Sequence, residues 1–190
     1  MENVEIEIQV KVENSQPLLE FLDKNAQFKE ENRQIDEYYS PAHRDFAAAR
    51  PNKEWFRLRD SSGKYSLNYK NFYYDSEGKS TYCDEYELVL GDANQMRKIL
   101  SSLNFKNIII ADKVRKSWDY KDWEISMDSV KGLGDFVEIE YKGKDDADPK
   151  QIAAEMIKFL KDIGCGKIQR NYVGYPFQLL FPEEIKFEEQ

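Results

Sequence analysis

From Val4 to Val12 apolar and polar residues alternate, with Ile6, Ile8 and Val10 set against Glu5, Glu7, Gln9 and Lys11. Such a period predicts a strand with one face in a core and the other charged. A helix is expected next: Ser15 stands as its cap, Pro17 lies in its first turn, and Leu18, Leu19 and Leu22 form an apolar stripe before an end near Asn25. Gln34 to Ser40 reads as a strand, and Pro41 to Pro51 as a long connection holding one short helix. Trp55 to Arg59 and Tyr65 to Lys70 alternate on either side of Ser61, Ser62 and Gly63, the pattern of a hairpin. A turn at Asp75 to Gly78 leads into a strand from Thr81 to Leu90. Asp92 caps a helix to about Leu103, with Met96, Ile99, Leu100 and Leu103 on one face. Phe105 to Tyr120, Trp123 to Met127 and Phe136 to Lys142 are rich in β-branched and aromatic residues and predict extended structure, broken at Lys121-Asp122 and Gly132-Leu133-Gly134. Pro149 opens a helix to about Ile163, with Ile152, Met156, Phe159, Leu160 and Ile163 as its stripe. In the last segment, Asn171 to Phe181, the residues Tyr172, Tyr175, Leu179 and Leu180 fall at helical intervals, placed to plug an open end.

Strand, helix and several strands recur in each half, which predicts two related units of roughly ninety residues whose sheets face or continue one another. No Gly/Ser/Pro-rich linker separates them, so residues 1–181 are expected to form a single domain, followed by an acidic tail over 182–190. With 12 Tyr, 11 Phe and 3 Trp in 190 residues, a core can form without disulfides. Cys83 and Cys165 lack a metal-binding spacing and fit a reducing cytosol. No apolar run approaches the roughly 20 residues of a membrane helix, so a soluble, cytoplasmic protein without a membrane partner is expected. A net charge of -8 argues against general nucleic-acid binding, while leaving room for a locally basic cleft.

Charge repeats on alternate residues well beyond the first strand. Glu138 and Glu140 share a face, as do Arg57 and Arg59, and Lys113 and Arg115; Lys11 and Lys70 add two further cations. On any single strand a solvated outer face explains the pattern. Five strands repeating it argue for a charged lining, in which arginine forks and lysine point charges bind phosphate oxygens. Carboxylates in that lining suit a hard cation, Mg²⁺ or Mn²⁺, and His43 as the sole histidine argues against a histidine-based zinc site.

These residues resemble the CYTH superfamily of triphosphate-tunnel enzymes, and within it class IV adenylyl cyclases. The E-x-E-x-K opening is matched by Glu5 and Glu7, the paired basic strand by Arg57 and Arg59. D-E-Y-Y at Asp36 to Tyr39, S-L-N-Y-K ending at Lys70, E-Y-E at Glu85 to Glu87 and K-V-R at Lys113 to Arg115 are similar too. The fullest match is M-D-S-V-K-G-L-G-D-F-V-E-I-E, Met127 to Glu140, and Tyr172 with Leu179 and Leu180 matches a terminal tyrosine and leucine pair. The resemblance implies an α+β fold, an eight-stranded antiparallel tunnel with flanking helices. It implies a nucleoside triphosphate or other triphosphate as substrate and a divalent metal as cofactor, with no stable nucleic-acid partner; a homodimer stays open. By the same resemblance Lys11, Arg57, Arg59, Lys70, Lys113 and Arg115 bind triphosphate, Glu5, Glu7, Asp128, Glu138 and Glu140 hold metal, and Glu5 and Glu138 serve catalysis. Cyclisation of ATP is the leading reaction, hydrolysis of a triphosphate the alternative, and non-catalytic binding of a nucleotide or polyphosphate a third. Two departures weaken triphosphate binding: Gln9 stands where the opening motif has Lys, and Cys83 where a later strand has Arg. Turn capping competes with metal binding at Asp128, and Gly132 and Gly134 are read as turn residues.

Overall fold

The computed structural model describes residues 4–50, 52–76, 78, 82–143 and 147–190, and of Val4, Glu5 and Tyr82 the backbone alone. Strand β1 (Val4–Val12), helix α1 (Gln16–Asn25) and strands β2 (Gln27–Ser40), β3 (Glu54–Ser61) and β4 (Lys64–Tyr73) make the first half. The second half repeats that order with β5 (Tyr82–Leu90), α2 (Ala93–Ser102), β6 (Lys106–Tyr120), β7 (Trp123–Val130) and β8 (Gly134–Tyr141). Helix α3 (Pro149–Ile163), β9 (Ile168–Arg170), α4 (Tyr175–Leu180) and β10 (Glu188–Glu189) complete the chain.

All strand pairs are antiparallel. Within the one sheet the order β1-β5-β4-β3-β2-β6-β7-β8 returns on itself, because β1 pairs with β8 as well as β5. The β1–β5 seam is short, Val4 to Ile6 against Asp84 to Tyr82. Beyond it β1 exchanges β5 for β9, and β10 adds to β9, so Glu188 and Glu189 of the acidic tail are joined to the sheet.

The tunnel inverts the usual arrangement of a barrel: charge points inward and the apolar core lies outside. Ile8 and Val10 of β1, Trp118 of β6, Ile125 of β7 and Val137 and Ile139 of β8 face outward and pack beneath Leu18 and Leu22 of α1 and Met156 and Leu160 of α3. Each such buried aliphatic side chain contributes about 1.5–3 kcal/mol. Helix α2 covers the opposite flank, where Ala93 and Leu100 meet Tyr39 and Leu58. Ile99 and Leu103, read as part of that apolar face, are instead exposed.

One end of the interior is apolar. Moving along the inward face, Asp36 gives way to Tyr38, Arg57 to Trp55, Lys113 to Ala111, Asp128 to Val130 and Glu138 to Phe136. Tyr175 and Phe177 of α4 pack among these residues, so the terminal segment does plug an end.

Local chemistry explains most boundaries. Asp92 accepts from the Asn94 and Gln95 backbone N–H groups, and Asp148 from Lys150 ahead of Pro149. The β3–β4 hairpin turns through Ser62 and Gly63 at φ 51° and 90°, which glycine tolerates and serine rarely adopts. Three expectations need correction. Ser15 makes no side-chain cap bond; Asn14 accepts from the Gln16 N–H instead, at 3.0 Å. Residues 41–50 form turns and bends without a helix. Strand β2 begins at Gln27, seven residues early, because Gln27 to Arg33 carries little alternation yet finds a partner in β6. Thr81, expected to open β5, lies outside the described residues.

Candidate active site

The inward faces of the eight strands line one cavity of about 630 Å³. Glu7 and Gln9 come from β1, Asp36 from β2, Arg57 and Arg59 from β3, Lys70 from β4, Glu85 from β5, Lys113 and Arg115 from β6, Glu124 from β7, and Glu138 and Glu140 from β8.

Two buried aspartates organise the cations. Asp36, 1% exposed, takes a fork from Arg59, Nε to Oδ1 at 2.6 Å and Nη2 to Oδ2 at 2.7 Å, with Arg57 Nη1 at 3.6 Å. Burial opposes its charge, but Arg59 and Arg57 more than offset that and hold the carboxyl far below its usual range. Asp128, 2% exposed, accepts from Lys113 Nζ at 2.8 Å, from Arg115 Nε and Nη2 at 2.7 and 2.6 Å, and from the Tyr175 hydroxyl at 2.9 Å. It too is held well down despite burial, by Lys113 and Arg115. Lys113 itself is pulled down to about 8, by burial and then by Arg115, against the opposing pull of Asp128. Burial and Asp128 push the Tyr175 phenol well up, so it remains a neutral donor.

Carboxylates occupy the remaining arc. Arg115 Nη2 donates to Glu138 Oε1 at 2.7 Å; burial raises the Glu138 pKa, while Arg115 and Lys113 bring it below the usual value. Lys70 lies 3.8 Å from both Glu7 and Glu85, and Lys142 2.5 Å from Glu140. Register places Glu7 beside Glu140, Glu140 beside Glu124, and Gln9 beside Glu138. These hard oxygen donors on adjacent strands suit a divalent cation. Among the described residues no group of three His, Cys, Asp or Glu side chains is converged to hold a metal ion; Glu7, Glu138 and Glu140 offer carboxylate oxygens from adjacent strands without forming a ready-made site.

The CYTH domain family model matches residues 3–172. The chain belongs to the CYTH domain family. Family members act in general on triphosphate substrates and use divalent metals. The Methanocaldococcus jannaschii protein named "Putative adenylate cyclase MJ0240" is 32% identical over 174 residues, 90% of this chain and 97% of that protein. The solved structure of the PH1819 protein from Pyrococcus horikoshii OT3 superposes with a TM-score of 0.77 at 26% identity, covering 94% of this chain and 99% of that one. A Hippeastrum structure described as "Putative adenylyl cyclase HpAC1 from Hippeastrum reveals a dominant triphophatase activity" shares the fold, with a TM-score of 0.67 at 16% identity over 96% of this chain and 97% of that one.

Within this CYTH tunnel, Arg57, Arg59, Lys70, Lys113, Arg115, Glu7, Glu138 and Glu140 meet in the same cavity. Lys11 shares their face of β1 but lies past the charged section: its Nζ donates to the Leu133 carbonyl at 2.9 Å and sits 4.8 Å over the Phe136 ring. Asp128 is occupied by four donor contacts, which makes it the anchor of two cations. The Glu5 side chain lies outside the described residues. Gln9 donates to Glu138 at 3.5 Å and accepts from Gln178 of α4 at 2.9 Å, so the plug is tied to the lining. Gly132 and Gly134, at φ 86° and 88°, shape the β7–β8 turn. Asp36 and Tyr175 were not singled out from the sequence as site residues. The available signal for Asp36 was the D-E-Y-Y match that it opens; its place beside the arginine pair comes from the register of β2 against β3.

Proposed function

We propose that this CYTH protein is a metal-dependent enzyme that converts ATP to cyclic AMP and pyrophosphate. The observation that carries the reading is the meeting of Arg57, Arg59, Lys70, Lys113 and Arg115 with Glu7, Glu138 and Glu140 in one chamber. The cyclase name of the Methanocaldococcus relative supports the choice of reaction.

In this reading the five cations bind the triphosphate, competing with Glu7, Glu85 and Glu138 for the same donors, while Asp36 and Asp128 keep the arginine forks aimed inward. Glu7, Glu138 and Glu140 hold the metal, with Glu5 assigned to the set from sequence alone. The bound metal supplies Lewis acidity at phosphate oxygens and lowers the proton affinity of the ribose 3′-OH. The 3′ oxygen bonds to the α-phosphorus as the bond to the bridging oxygen breaks, pyrophosphate leaves, and the hydroxyl proton passes to solvent. Cations beside the departing pyrophosphate stabilise its charge. The lowered pKa of Glu138 makes it a poor proton acceptor at neutral pH, so its part is that of an anionic ligand.

Triphosphate hydrolysis is the second reading, favoured by the dominant triphosphatase activity ascribed to the Hippeastrum neighbour and by a lining that serves either reaction. ATP, GTP, thiamine triphosphate and inorganic triphosphate, each with Mg²⁺ or Mn²⁺ and with products identified, separate the two. Cyclic AMP with pyrophosphate supports cyclisation. Inorganic phosphate without a cyclic product replaces it with hydrolysis.

A further inference from the structure

A second cavity, of about 590 Å³, lies between α3 and β9, and its lining shares no residue with the tunnel. The α3 wall has two characters. Ala153, Ala154 and Ile157 present a small apolar surface, and Lys150, Lys158 and Lys161 stand around it. Lys150 lies 3.5 Å from Asp75 and Lys158 2.5 Å from Asp162, so two of these charges have carboxylate neighbours. Lys161 has no ion-pair partner among the described residues.

Arg170 of β9 forms the opposite wall and is 5% exposed. Its Nη2 reaches the Glu7 carbonyl at 3.5 Å, and the guanidinium lies 4.6 Å over the Tyr172 ring. It hydrogen-bonds Tyr172, and the Glu7 and Glu188 carboxylates act on it through their charge, yet its Nε alone has no acceptor. Arginine cannot shed its proton to escape burial, so a cation this deep with an unused donor favours an anionic ligand. The mixture of guanidinium, ammonium and small apolar side chains suits a phosphate attached to an apolar body, since the guanidinium fork matches phosphate oxygens.

We propose that this cavity is a binding site for an organic phosphate of about nucleotide size, its phosphate on Arg170 and Lys161 and its body against Ala153, Ala154 and Ile157. The site has a lining of its own, distinct from that of the triphosphate tunnel, and touches it only where Arg170 meets Glu7.

AMP is the probe, titrated by calorimetry into the full chain, Lys161→Glu and Arg57→Ala, with inorganic phosphate as a second titrant. Lys161 is exposed, so its substitution tests the cavity without disturbing the core that Arg170 belongs to. A class of AMP sites weakened about tenfold or more by Lys161→Glu and kept in Arg57→Ala is the expected result. No AMP binding, or binding lost in Arg57→Ala and indifferent to Lys161→Glu, overturns the proposal. Inorganic phosphate binding as tightly as AMP overturns the organic part, because the apolar wall then contributes nothing.

Discussion

The two aspartate clusters of the tunnel are built alike and titrate differently. On one side Asp36 of the second strand grips Arg57 and Arg59 of the third; on the other, Asp128 of the seventh strand grips Lys113 and Arg115 of the sixth. The repeat of the two halves is therefore carried out with acid and base exchanged between corresponding strands. Both clusters bury an aspartate under cations two residues apart. The Asp36 cluster holds two arginines, charged at any working pH. The Asp128 cluster holds a lysine whose pKa is drawn to about 8, together with Tyr175 of the plug and Glu138. One side of the tunnel thus has fixed charge, and the other has charge that can be lost.

The largest expected effect comes from removing an anchor. Asp128→Ala and Asp36→Ala should each cost about 3–5 kcal/mol in urea unfolding at pH 7, because each leaves buried cations uncompensated. At pH 9 part of the loss should return in Asp128→Ala, where Lys113 can shed its proton, and less in Asp36→Ala, whose bonded partner and near neighbour are arginines and which Lys113 reaches only through its charge. Equal behaviour of the two variants across that range would erase the distinction between the clusters.

Removing a cation acts next. Arg57→Ala should raise KM for the triphosphate by about 10–100-fold, the loss of a charge-assisted contact, with a smaller change in kcat. An unchanged KM and kcat would take Arg57 out of substrate binding.

The pH profile of the intact enzyme gives a smaller and more selective effect. Below about 8 Lys113 is charged and attracts phosphate; above it the ammonium is lost, so kcat/KM should fall as pH rises through that value. Lys113→Arg should flatten this limb, and persistence of the limb in that variant would assign it to another group. For stability the sign is opposite. The unfolded chain holds the Lys113 proton up to 10.5 and the folded chain only to about 8, so this residue's contribution to stability rises with pH between them.

Tyr175→Phe is the mildest test. It deletes one of the four donor contacts to Asp128 and should cost about 1 kcal/mol on unfolding, with little change in KM.

Much of this was legible in the sequence, and the exceptions have physical reasons. Alternation placed Glu7, Glu138, Glu140, Arg57, Arg59, Lys113 and Arg115 on strand faces, and the resemblance joined those faces into a tunnel. A face is not a depth. Lys11 has the same parity as Glu7 but stands where the lining turns apolar, and only the register of β1 against β8 and β9 reveals that. The anchoring work of Asp36 and Asp128 depends on which strand lies alongside, and local pattern does not specify neighbours. Gln27 to Arg33 escaped as strand because most of its side chains are exposed and no apolar face marks the period.

The cations and carboxylates gathered in one tunnel are proposed to cyclise a nucleoside triphosphate. Phosphorus NMR of ATP and Mg²⁺ with the protein tests this most directly, with Glu138→Gln beside the wild type. Cyclic AMP and pyrophosphate appearing in equal amounts, and neither in Glu138→Gln, is the predicted result. Release of inorganic phosphate without cyclic AMP, or full turnover in Glu138→Gln, would contradict the account.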